Sequence, residues 1–129
     1  MESSVLRDYE IDGKNRTMRF TLTRPNGGDA FRSVELVFRD VEGYLLKRDA
    51  GSDRALAVEE QTLTAFLGQN EAYFAREARW GWPRFWRGSA QSTAAWLASR
   101  GSRVWAISAS YGFSGWIVAG NAMYHNGPV

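Results

Sequence analysis

Residues 17–23 alternate without a break, with Met18, Phe20 and Leu22 on one face and Arg19, Thr21 and Thr23 on the other. That period of two is the pattern of a half-buried strand. Pro25, Asn26, Gly27 and Gly28 follow, a turn signal because Asn-Gly and Gly-Gly reach positive φ at little cost. Val34, Leu36 and Phe38 then alternate with Ser33, Glu35, Val37 and Arg39, which supplies the partner strand of a hairpin. Residues 43–47 and 54–60 read as a second pair, joined by the polar link 49–53, with Leu56 and Val58 pointing inward. The expectation is a four-stranded antiparallel meander over residues 9–60.

From Gln61 the period changes. Leu63, Phe66, Leu67, Tyr73 and Phe74 recur at helical spacing, interrupted by Gly68. Asn70 is a candidate N-cap, so the spacing predicts a helix over residues 71–79. Gly81 and Pro83 exclude a regular helix across residues 80–88. Ser89 caps a second predicted helix that runs to residues 99–100, places Trp96 and Leu97 inward and stops at Gly101. Residues 103–110 and 114–119 form a final hairpin about a turn at Tyr111, Gly112 and Phe113. The order ββββααββ is that of an α+β fold: a mostly antiparallel sheet, made of the N-terminal meander plus the C-terminal hairpin, covered by two short helices. With no linker and no internal repeat, residues 1–129 read as one domain.

Composition narrows the chemistry. The absence of Cys excludes disulfides and thiol catalysis, and a single His excludes the common multi-His metal sites. No metal and no cofactor is therefore expected. Charges at Glu2, Arg7 and Asp8 break up the start where a signal peptide needs an apolar run, so the reading is cytoplasmic and Asn15-Arg16-Thr17 is a chance sequon. Residues 104–129 carry no Asp, Glu, Lys or Arg, yet serines and glycines at mid-length divide them into two short apolar runs, which read as buried strands rather than a membrane span. The net charge of +2 hides a partition: −3 over residues 1–75, +5 over residues 76–103, and nothing after.

The densest feature lies in that basic stretch. Residues 76–87 hold Arg76, Arg79, Arg84 and Arg87 together with Trp80, Trp82, Phe85 and Trp86. Guanidinium forks bind oxyanions, and aromatic faces take bases or sugar rings. The same residues also suit a plainer role, with the rings anchoring an irregular crossover and the Arg stems lying over them. Gly112-Phe113-Ser114-Gly115 is one residue short of a nucleophile elbow and lies between strands, and the one available base, His125, sits in a polar terminus expected to be loosely held. Glu59 and Glu60 are adjacent on a strand and so face opposite ways. Asp49, Gly51 and Asp53 lack the spacing of a Ca²⁺ loop.

With no catalytic constellation, the chain reads as a non-enzymatic binding domain that docks to another protein, either an immunity-type partner or a second copy of itself. Trp80, Trp82, Phe85 and Trp86 would be the anchors, with Arg79, Arg84 and Arg87 reading acidic groups. Edge-to-edge pairing of the uncharged C-terminal hairpin is the route to self-association. The alternative is a module for an anionic small molecule or single-stranded nucleic acid, using the same Arg and Trp residues as a stacking platform.

Overall fold

The chain forms eight antiparallel strands in the computed structural model, which describes residues 5–25, 31–48, 54–109 and 113–126. In chain order they are β1 (Val5–Asp12), β2 (Thr17–Pro25), β3 (Phe31–Arg39), β4 (Gly43–Arg48), β5 (Arg54–Gln61), β6 (Arg103–Ala109), β7 (Phe113–Ala119) and β8 (Asn121–Asn126). Two helices, α1 (Leu63–Glu77) and α2 (Ala90–Ser99), lie between β5 and β6. The class is α+β with an antiparallel sheet.

The strand order, β4-β7-β6-β5-β1-β2-β3-β8, differs from the expected meander plus hairpin. The order ββββααββ omits β1 and β8, and β4 pairs with β7 instead of β5. The cause lies at residues 40–42. In place of a reversing turn, the chain bends there and continues as the same ribbon. β3 pairs with β8 as far as Arg39 opposite Asn121, and β4 pairs with β7 from Gly43 opposite Val118. At the bend the Gly120 N–H donates to the Arg39 carbonyl at 2.9 Å and the Glu42 N–H to the Val118 carbonyl at 2.8 Å. Both strands thereby pass from one half of the sheet to the other, the usual way that a sheet turns a corner. The halves β1-β2-β3-β8 and β5-β6-β7-β4 face each other and are joined again where Val5 and Leu6 pair with Ala55 and Arg54.

The space between the halves is the first core. Met18, Phe20, Leu22, Leu36 and Phe38 fill it from one side, and Trp105, Ile107, Ile117 and Ala119 from the other. Phe38 meets Trp105 edge-on across the gap, at 5.4 Å between centroids. A second core lies on the outer face of β6 and β7, where Val104, Trp116 and Val118 meet Phe66, Leu67, Phe74, Phe85 and Leu97. These two strands are buried on both faces, which accounts for the uncharged run that contains them. Among the described residues no helix is long and apolar enough to cross a membrane.

Helix α1 starts earlier than its predicted cap. Thr62 accepts the Ala65 N–H through Oγ1 at 3.2 Å, whereas Asn70 lies inside the helix and donates through Nδ2 to the Phe66 carbonyl at 2.9 Å. Gly68 does not stop it: a helix-interior glycine costs about 1 kcal/mol relative to alanine, less than the burial of Phe66, Leu67 and Phe74 returns. Helix α2 follows the sequence reading, with the Ser92 N–H donating to Ser89 Oγ at 3.1 Å and Gly101 at φ 73° just beyond the end. The predicted turns at residues 26–28 and 111–112 and the link 49–53 lie outside the described residues.

Candidate functional site

The segment from Ala78 to Gly88 connects the two helices, and its own sequence keeps it irregular. A 3-10 turn over Ala78–Trp80 ends at Gly81, whose φ of 83° terminates it, and the Trp82–Pro83 peptide is cis. What holds this backbone in place is aromatic packing. Phe85 is buried, its ring 5.7 Å from Phe74 and 5.9 Å from Trp116. Gly43 makes room for it, since a Cβ there would stand 2.7 Å from the Phe85 ring. Trp82 packs on Tyr73, Phe74 and Trp116 at 5.7–5.9 Å, and Trp86 packs on Phe74 at 5.9 Å. Trp80 has no such contacts and projects with 77% of its surface exposed.

The arginines divide in the same way. Arg87 is tied into the structure: its backbone N–H donates to Thr93 Oγ1 at 2.8 Å, its guanidinium donates to the Arg84 and Trp86 carbonyls, and its charge lies 3.7 Å from the centre of the Trp96 ring. Arg76 lies over Tyr73. Arg79 is exposed, its Nε donating to the Arg76 carbonyl and its guanidinium 6.0 Å from the Trp80 ring. Arg84 is exposed and forms no salt bridge among the described residues.

The residues that follow Trp80 border a cavity of about 390 Å³, lined by Glu42, Gly43, Tyr44, Gly81, Trp82, Pro83 and Arg84. Glu42, Gly43 and Tyr44 also form one wall of a smaller cavity of about 170 Å³, which reaches Ile11, Asp12 and Arg16 at the β1–β2 turn. Glu42 is the residue that sequence reasoning missed. Its carboxylate is largely buried and accepts from Arg16 and from Arg100, the latter at 2.9 and 3.1 Å. Arg100 in turn lies 4.8 Å from the Trp96 ring, which it shares with Arg87. One run of charges and rings therefore ties the β1–β2 turn, the bend before β4, α2 and the interhelix segment together. No local signal marks it, because Arg16 and Arg100 are 26 and 58 residues away from Glu42.

Asp12, on the lip of the smaller cavity, accepts Asn15 Nδ2 at 2.7 Å and the Asn15 backbone N–H at 3.2 Å. These bonds, the side-chain one first, hold its carboxyl below the usual carboxylate range. A lowered carboxyl favours the folded state at pH values above the unfolded-state titration, and that contribution is lost as pH falls through the folded-state value. Asn15→Ala is expected to move the Asp12 midpoint upward in an NMR pH titration; an unchanged midpoint would show that other groups set it.

The remaining candidates do not assemble into a reacting group. Ser114 lies opposite Lys47 and Ser108, whereas His125 lies opposite Glu35 on the other half of the bent ribbon. Glu59 and Glu60 stand opposite Ala106 and Trp105 on alternate faces of β5. Asp49 and Asp53 lie outside the described residues. Among the described residues no group of three or more His, Cys, Asp or Glu side chains is placed to hold a metal ion. The terminus expected to be loosely held is the ordered strand β8 as far as Asn126.

No family model matches the chain, and no curated protein or solved structure matches it.

Proposed function

We propose that this chain is a cytoplasmic, non-enzymatic binding domain that docks a partner protein through residues 76–87. Trp80 is the anchor, and Arg79 and Arg84 read acidic groups around it. One observation carries this reading: Trp80 is 77% exposed on a turn whose other aromatics, Trp82, Phe85 and Trp86, are packed against the protein. A tryptophan in open solvent contributes little to its own fold, while Trp and Arg dominate the energetics of protein interfaces. The packed neighbours fix the backbone that presents it, so docking would order few additional groups. The cavity between Tyr44, Pro83 and Arg84 offers an adjacent recess for a partner side chain.

Trp80→Ala is expected to leave the thermal midpoint within about 2 °C of wild type, since surface substitutions without packing partners usually stay within ±0.5 kcal/mol. Recovery of the partner in a pull-down should fall at least tenfold. Equal recovery by both chains would sink the assignment of Trp80.

Arg84, which forms no salt bridge among the described residues, lines a recess of about 390 Å³ and favours a second reading, an anionic small molecule or single-stranded nucleic acid. Tryptophan fluorescence titrated with nucleotides and oligonucleotides at two salt concentrations separates the two, because phosphate contacts weaken steeply with salt.

A further inference from the structure

The C-terminal hairpin expected to self-associate has no open edge, since β6 lies between β5 and β7, and β7 between β4 and β6. Among the described residues the free edges of the sheet are β4 and β8. Their chemistry differs. β4 ends on Lys47 and Arg48, the Phe85 ring packs on the face of its first residue, Gly43, and the bend just before it is tied to the β1–β2 turn, where the Val41 N–H donates to the Arg16 carbonyl. Charged residues on an edge strand oppose pairing. β8 reads Asn121-Ala122-Met123-Tyr124-His125-Asn126, without one charged residue. Two of the large apolar side chains that are exposed in this protein are consecutive along it and point to its opposite faces: Met123 at 51% and Tyr124 at 50%.

We propose that β8 pairs antiparallel with the β8 of a second copy of this chain, so that β1-β2-β3-β8 continues across a two-fold axis. This surface is separate from Trp80 and does not rest on the docking assignment made there. The strand is complementary to itself about Met123. With Met123 on the axis, Ala122 stands opposite Tyr124 of the second copy, a small side chain against a large one, on the face where both pair with Phe38 and Leu36. On the other face His125 stands opposite Asn121 of the second copy. No charged residue of β8 itself enters the pair, and the nearest charge recorded on it is the Arg24 guanidinium, 4.7 Å from the centre of the Tyr124 ring. A six-residue edge is only about 20 Å long, so the dimer belongs with small, concentration-dependent interfaces.

Light scattering over a concentration series tests this. Wild type should pass from one chain mass toward two. Met123→Lys and Met123→Glu should each weaken association at least tenfold, and mixing the two variants should restore it, because opposite charges then meet on the axis. Trp80→Ala should associate as wild type does. A wild type that stays monomeric to millimolar concentration overturns the proposal, as does a dimer that persists unchanged in both charged variants. Hydrogen exchange needs no variant: amide protection over residues 121–126 should rise with concentration, and protection independent of concentration overturns the proposal equally.

Discussion

Gly115→Ala is expected to lower the thermal midpoint by roughly 10–15 °C, the equivalent of about 3 kcal/mol for a chain of this size. The reason is local and steric. A Cβ on Gly115 would stand 1.9 Å from the Leu45 carbonyl oxygen and 2.9 Å from the Leu46 Cα. Both are backbone atoms of the paired strand β4, so no rotamer change relieves the clash. Either β4 moves away from β7 or the hydrogen-bond register breaks, and Leu45 and Leu46 both face apolar clusters that such a shift would open. Gly68→Ala is the matched control. That site lies inside α1 with nothing within 4 Å of an added Cβ, so the same substitution should raise stability by about 0.5–1 kcal/mol. If both variants melt alike, β4 and β7 separate at little cost and the close approach at Gly115 does not limit stability.

Phe74→Ala is expected to destabilise by about 4 kcal/mol, in the range for removing a fully buried aromatic ring. Phe74 has no exposed surface and is the hub of the second core, with Phe66, Tyr73, Trp82, Phe85, Trp86 and Trp116 all packed within 6 Å of its centroid. Two of those rings, Trp82 and Phe85, hold the interhelix segment. The variant should therefore show a lower denaturant midpoint with an unchanged slope, together with weaker near-ultraviolet circular dichroism from the tryptophans. A loss below about 1.5 kcal/mol would mean that the surrounding rings close over the vacated volume.

These two sites show how far local pattern reaches. β2, β3 and the β6–β7 hairpin are legible because each alternates or runs apolar within its own residues, and α2 because Ser89 and Gly101 are caps at helical distance. β1 is not legible, because its register shifts between Leu6 and Asp8, so that Leu6 and Tyr9 both pack on the inner core and the period of two is lost. β8 has almost no strand-forming residues, and its pairing with β3 supplies what its sequence lacks. The one hint of it is Val37, buried on the outer face between Arg19 and Met123. The exchange of β5 for β7 beside β4 is a contact between residues about seventy positions apart, and no window of sequence contains it. In the candidate site, the density of Arg and Trp over residues 76–87 marks an unusual surface. Which tryptophan is left in solvent depends on Gly43, Phe74 and Trp116, and the grip on Glu42 depends on two distant arginines.

The bent ribbon also constrains the order of events during synthesis. Strands β3 and β4 have their long partner only when residues 113–126 exist, so the inner face carrying Leu36 and Phe38 lacks its opposing half until then. At ordinary elongation rates that interval is roughly 4–16 s, far longer than hairpin formation. Over that interval the nascent chain thus carries an open, aromatic-lined half-sheet, which closes only when β7 and β8 return to β4 and β3.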